Sequence, residues 1–176
     1  MIKHILLLGM MGSGKTILGQ QLAKKLSIRH IDLDDYIAKE NHLSFQDFFN
    51  LHTIENFRLL ESKYLETLIH QLTKTSVISL GGGTLTHSNS LEKYLHHHTI
   101  YLQCSLETLF GRLQNSHAQK QRPLLQGLQP EQLKLKLQKI LEMREILYQQ
   151  ANYVINNDRD DAQLAIQNIM KVLCLT

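Results

Sequence analysis

The 176-residue sequence predicts an α/β fold with a mainly parallel sheet. Three observations carry this. Short apolar runs of strand length alternate with longer segments of helical period. The first run ends in a glycine-rich loop that opens a helix. Later runs stop at Asp32 and at Gly81-Gly82-Gly83. Ligands in parallel α/β sheets lie beyond the carboxyl ends of the strands, so Gly9, Asp32 and Gly81 point to one site.

Each element follows from its local pattern. Residues 5–8 are a continuous apolar run and predict a buried strand. Leu18, Leu22 and Leu26 recur every four residues and predict an amphipathic helix. Residues 29–33 predict a second strand, and residues 34–40 one or two helical turns with Asp34 as N-cap. Ser44 is suited to cap a further short helix carrying Phe45, Phe48 and Phe49, which read as core. Residues 53–74 predict a long helix with Phe57, Leu60, Tyr64 and Leu68 on one stripe. Residues 76–80 predict a strand stopped by the three glycines. A helix near 88–95, a strand at 99–103 and a helix at 105–113 follow. Residues 115–129 lack a period and read as a long loop. Pro130 suits the first turn of a helix running to about 150. Residues 153–156 predict the fifth strand and 161–173 the closing helix.

Composition narrows the class. At 176 residues one domain is expected, large enough to fold without disulfides. The net charge of +3, with no basic stripe, argues against a nucleic-acid partner. Two cysteines, Cys104 and Cys174, do not make a secreted disulfide scaffold, and no apolar run reaches membrane-spanning length. A cytoplasmic protein without a membrane partner is therefore expected. His96-His97-His98 reads as structural, because three adjacent histidines on a helix cannot all face one ion.

The strongest motif is Gly9-Met-Met-Gly12-Ser13-Gly14-Lys15-Thr16, a complete GxxxxGK[ST] between a strand and a helix. Glycines let backbone N–H groups curl toward phosphate oxygens, and the helix N-terminus adds positive potential. Lys15 is placed to reach the β- and γ-phosphates, and Thr16 to offer its hydroxyl to Mg²⁺. The motif predicts nucleoside triphosphate binding and names no reaction. Asp32-Leu-Asp34-Asp35 follows: one carboxylate is suited to the magnesium shell, another to orient a hydroxyl and take its proton, while helix capping is the simpler role. If the strand continues, Asp32 and Asp34 share a face. Arg58 and Glu61, three apart, read on spacing alone as an exposed ion pair. The three glycines suit a close backbone approach to a ligand, or an ordinary turn. Arg112, Lys120 and Arg122 flank or occupy the long loop, which suits a mobile lid. Arg144 lies on the following helix. The Asp-x-x-Gly and Lys-x-Asp patterns of a guanine-nucleotide switch are absent from the sequence. Gluconate and nucleoside monophosphate kinases remain alternatives on these motifs.

Taken together, the phosphate loop, Asp32-Leu-Asp34, Phe57-Arg58 with Glu61, Ser79-Leu-Gly-Gly-Gly83, Arg122-Pro-Leu-Leu125, and Arg144 with Leu147-Tyr148 resemble the shikimate kinase family. The match runs nearly the length of the chain. The resemblance implies a three-layer P-loop kinase fold with a five-stranded parallel sheet flanked by helices. It also implies a lid at about 114–128 and a helical substrate-binding segment at about 33–61. It implies transfer of phosphate from MgATP to the 3-hydroxyl of shikimate by a monomer, in aromatic amino-acid biosynthesis. Asp34, Arg58, Gly82 and Arg144 are then expected to bind shikimate, the arginines on its carboxylate. Phe49, Phe57 and Leu124 would form the apolar side of that pocket. Lys15, Asp34 and Arg122 are expected to be catalytic. Gly12, Ser13, Gly14, Lys15, Thr16, Ile17, Arg112 and Arg122 are expected to hold ATP, with residues 157–160 bordering the base. Thr16, and Asp32 through water, would serve Mg²⁺. The chain departs from the family pattern at Thr53-Ile54, where Gly-Glu is usual, at Ile146, where proline is usual, and in a slightly long lid.

Overall fold

The computed structural model of the chain describes residues 3–42, 53–85, 91–115 and 122–175. Five strands form one parallel sheet: β1 (Ile5–Leu8), β2 (Arg29–Asp32), β3 (Ser76–Ser79), β4 (His98–Gln103) and β5 (Tyr153–Asn156). The order is β2-β3-β1-β4-β5. Leu6 is in register with Ile78 on one side and Thr99 on the other. The chain moves outward from β1 to β2, returns through β3, then crosses to β4. The switch point thus lies at the end of β1, where the phosphate loop begins.

Both faces of the sheet are covered, which is why its central strand β1 is apolar and buried without alternation. Leu6 and Leu8 pack with α3 (Ile54–Gln71) and α5 (Pro130–Tyr148) through Phe57, Leu65, Leu133 and Leu137. Ile5 and Leu7 point the other way, against Leu18 and Leu22 of α1 (Lys15–Leu26) and Ile166 and Ile169 of α6 (Ala162–Val172). The layers α2 (Leu33–Asn41) and α4 (Leu106–Leu113) complete the set.

Several helix starts are set by side-chain caps. Thr53 Oγ1 accepts from Asn56 N at 3.3 Å, Ser105 Oγ from Thr108 N at 3.2 Å and Asp161 Oδ1 from Leu164 N at 2.9 Å. Thr53, a departure from the family pattern, is thus a working cap for α3. Ile146, the other departure, points outward with 77% exposure.

Several expectations need correction. The second strand ends at Asp32, and Leu33 begins α2. Asp32, not Asp34, is the N-cap, accepting from Asp34 N at 3.1 Å and from Asp35 N. Asp34 and Asp32 therefore do not share a strand face. Three nearby aspartates can each cap, and the burial of Leu33 and Ile37 decides which one does. The long helices stop at Gln71 and Tyr148, short of the predicted 74 and 150. Near 88–95 the described residues form a 3₁₀ turn, Glu92–Tyr94. The aperiodic loop contains a 3₁₀ turn at Pro123–Leu125, pinned by fully buried Leu125. Ser44, Phe45, Phe48, Phe49 and Lys120, and parts of the proposed substrate segment and lid, lie outside the described residues.

Candidate active site

The phosphate loop leaves β1 and winds into α1. Gly12 and Gly14 sit at φ 82° and 89°, where a side chain would strain the backbone. Lys15 Nζ donates to the carbonyls of Gly9 and Met10, each at 2.9 Å. Burial holds its ammonium down to about 8, although Asp34 and Asp32 attract it. Thr16 Oγ1 donates to Asp32 Oδ2 at 2.7 Å. Ile17 is exposed beside it, and Ser13 is fully buried under the loop.

The triple glycine draws the second half of the site together. A Cβ on Gly83 would overlap the Arg58 guanidinium, and one on Gly81 would overlap Glu61 Oε1 and meet Asp34 Oδ1 at 2.6 Å. On Gly82 it would meet Arg144 Nη1 at 3.3 Å and Met11 N at 3.4 Å. The glycines therefore serve close approach by side chains of α2, α3 and α5, and not simply a turn. Arg58 is 9% exposed and donates to the fully buried Glu61, which also accepts from Thr84 Oγ1 at 2.6 Å. The expected exposed ion pair is overturned: the turn of α3 that carries both residues packs beneath the glycines. Arg144 Nη1 donates to the Gly82 carbonyl at 2.6 Å.

Asp34 Oδ1 is buried and has no hydrogen-bond partner among the described residues. Burial, then Glu61 and Asp32, push its carboxyl up to about 7, while Lys15 and Arg58 pull it down. An acid poised near neutrality is suited to proton transfer.

Both halves open into one cavity of about 990 Å³. The residues assigned to ATP, Mg²⁺, catalysis and shikimate line it except Ser13, and Arg112, Arg122 and Leu124 are among the lining groups. Phe57 does not line it: it is 1% exposed and packs into the core, so of the expected apolar side only Leu124 is found there among the described residues. Arg112 is held at the far end by Asp160 at 2.8 Å and the Asn157 carbonyl at 2.9 Å. Arg122 lies near enough to Lys15 to oppose its charge.

Some contributors are not evident from the motifs. Asn157, 6% exposed, donates through Nδ2 to the Ser13 carbonyl at 2.8 Å and so braces the phosphate loop from the end of β5. Ser79 Oγ donates to the Lys15 carbonyl at 3.0 Å and pairs with His30 Nε2 at 2.9 Å. Tyr148 donates to the Gly82 carbonyl. Ser79, Tyr148 and Asn157 stand in segments that the family resemblance marks, but nothing in the sequence assigned them these bracing bonds. His97 is buried, with Nδ1 accepting from His4 N at 3.2 Å at the opposite end of the sheet, as its structural reading requires.

A loop shaped for phosphate oxygens faces a buried acid across one cavity, at the switch point of a parallel sheet. That arrangement defines a phosphate-loop kinase of small molecules. A family model described as shikimate kinase matches residues 11–174. Shikimate kinase of Bacteroides fragilis is 35% identical over 180 residues, covering 98% of this chain and 97% of that protein. A crystal structure of shikimate kinase from Bacteroides thetaiotaomicron superposes with a TM-score of 0.90 at 34% identity, covering 98% and 99% of the two chains. Shikimate kinase from Acinetobacter baumannii, in complex with shikimate, gives 0.82 at 28% identity, covering 98% and 93%. The chain belongs to the shikimate kinase family.

Proposed function

We propose that this chain transfers the γ-phosphoryl group of ATP to the 3-hydroxyl of shikimate, giving 3-phosphoshikimate and ADP, in chorismate and aromatic amino-acid biosynthesis. Family membership supports the reaction. The observation that carries the residue assignments is segment 81–83, packed at once against Asp34, Arg58 and Arg144. Two guanidinium groups suit the carboxylate of a small acid, because their planar donors match its two oxygens. Gly82 completes the acid's binding site. Asp34 orients the reacting hydroxyl and takes its proton; its unpartnered Oδ1 faces no competing donor among the described residues.

Lys15 and Arg122 neutralise charge on the phosphates, and Gly12, Ser13 and Gly14 direct backbone N–H groups toward them. Ile17 and Arg112 border the nucleotide, with residues 157–160 beside the base. The oxygen pair of Thr16 and Asp32 suits a hard cation that keeps most of its waters, with Thr16 as direct ligand and Asp32 acting through water. Mg²⁺ held there would supply positive charge to offset that of the phosphates.

The reading extends to a single-domain cytoplasmic monomer that binds neither nucleic acid nor membrane, with residues 33–61 holding the acid and 114–128 forming the lid. In support, one chain supplies every assigned group. Among the described residues no helix is long and apolar enough to cross a membrane. Size-exclusion chromatography with light scattering tests the monomer.

The decisive assay is ADP release with shikimate, quinate or gluconate as acceptor. Strong dependence on shikimate is expected. Turnover with gluconate and none with shikimate would overturn the proposal.

A further inference from the structure

The last turn of α5 carries Arg144, Glu145 and Tyr148, and two of them converge on one oxygen. Arg144 Nη1 and the Tyr148 hydroxyl both donate to the carbonyl of Gly82. A carbonyl oxygen has two lone pairs, so both are engaged. The Gly82–Gly83 peptide cannot turn without breaking both bonds, which matters because glycine backbone is otherwise free to rotate. Tyr148 is buried, with its ring 5.0 Å from that of Tyr101 on β4.

Glu145 ties the same turn to the sheet. Its Oε2 accepts from the Tyr101 hydroxyl, and its Oε1 accepts from Gln103 Nε2 at 2.9 Å and Gln149 Nε2 at 2.7 Å. Tyr101 and Gln103 both lie on β4. Burial, with Glu145 beside it, raises the Tyr101 pKa and keeps that hydroxyl a donor. The helix end is thereby fixed in rotation: Tyr148 on the glycines, Glu145 on β4, and Arg144 between them. Arg144 gives one N–H to Gly82 and is also hydrogen-bonded to the Tyr148 side chain, so the two side chains hold each other as well as the glycine.

We propose that Tyr148 and Glu145 are positioning residues for the acid substrate, locking Gly82 and Arg144 in the pose that receives its carboxylate. This rests on the assignment of Arg144 and Gly82 to shikimate. It also gives a role to Glu145, which no motif in the sequence singled out.

The test is steady-state kinetics with each substrate varied in turn. Tyr148→Phe keeps the ring and removes only the hydroxyl. KM for shikimate should rise roughly 3–10-fold, the loss of about one hydrogen bond. KM for ATP should stay at its wild-type value, as should the melting temperature within about 2 °C. Glu145→Ala should act in the same direction. Glu145→Gln should restore most of the wild-type KM, because its amide oxygen still accepts from β4. Arg144→Lys serves as the reference for the carboxylate site. If Arg144→Lys raises KM for shikimate while Tyr148→Phe and Glu145→Ala leave it unchanged, the positioning role is overturned and the proposed function stands. An equal rise in both KM values would also overturn it, since that marks general loosening. Absence of shikimate turnover in the wild-type protein would instead remove the functional reading on which it rests.

Discussion

Arg58 shows how burial converts an ordinary pairing into a site. Glu61 binds it from one side, and the missing Cβ of Gly83 makes room for its guanidinium on another. Arg58→Lys keeps the charge but replaces a planar fork by a point charge. Shikimate binding, measured by calorimetry, should weaken about ten-fold or more, in line with a charged hydrogen bond of roughly 1.5–3 kcal/mol. ATP affinity without shikimate should not move. An unaltered shikimate affinity would refute the carboxylate assignment. Lys15 behaves differently, because its ammonium is already at a disadvantage: burial lowers its pKa to about 8, and among the described residues its hydrogen bonds go to the backbone carbonyls of Gly9 and Met10. Added phosphate charge would supply the partner it lacks. Lys15→Met should therefore cut turnover by at least about 10²-fold while leaving circular dichroism intact. Near-wild-type turnover would count against the phosphate loop's role.

At the level of elements, the three glycines after β3 can be ranked. An alanine at Gly83 collides with Arg58, and one at Gly81 with Glu61 and Asp34. At Gly82 the contacts of 3.3 and 3.4 Å are merely tight. Gly83→Ala should raise KM for shikimate, Gly81→Ala should chiefly lower kcat, and Gly82→Ala should be the mildest of the three. Kinetics on the three variants checks that order; a Gly82 variant worse than both others would contradict it. The strands and the phosphate loop were legible in the sequence because their signals are local: four-residue apolar runs, a glycine pattern, a capping residue. The start of α2 was not, because Asp32, Asp34 and Asp35 have the same capping chemistry and tertiary burial of Leu33 chooses between them. The braces of the site were not legible either. Thr84 on Glu61, Tyr148 on Gly82 and Asn157 on Ser13 join residues 23, 66 and 144 positions apart. No periodicity records such distances, whereas the resemblance to a family named the groups they support.

The molecule as a whole carries a cost at this site that should be visible in its stability. Asp34 titrates near 7 in the folded chain, raised from 3.8 by burial, Glu61 and Asp32 against the pull of Lys15 and Arg58. A raised carboxyl favours folding while it is protonated. That contribution is complete below the unfolded value near 4 and is lost as pH rises toward 7. Lys15 has the opposite sense: lowered from 10.5 to about 8, its contribution is complete above 10.5 and is lost as pH falls through 8. Between pH 7 and 8 the unliganded fold therefore holds two charges that the unfolded chain would hold more easily. Asp34→Asn removes one of them and keeps the shape. At pH 8 the unliganded variant should melt higher than the wild type, by at least about 2 °C for a domain of this size. The gain should shrink as pH falls toward the unfolded value near 4, below which aspartate is protonated in both states. The same variant should lose most turnover while still binding ATP, because an amide cannot take the proton of the acceptor hydroxyl. Thermal melts at pH 4.5 and pH 8, with turnover measured alongside, separate the outcomes. A variant that melts lower than the wild type at pH 8 would show that Asp34 acts as a structural anchor. A variant that melts higher and stays active would remove Asp34 as the base. Higher stability with lost turnover is the result the proposed role of Asp34 requires: its carboxylate is held where folding alone would not put a charge.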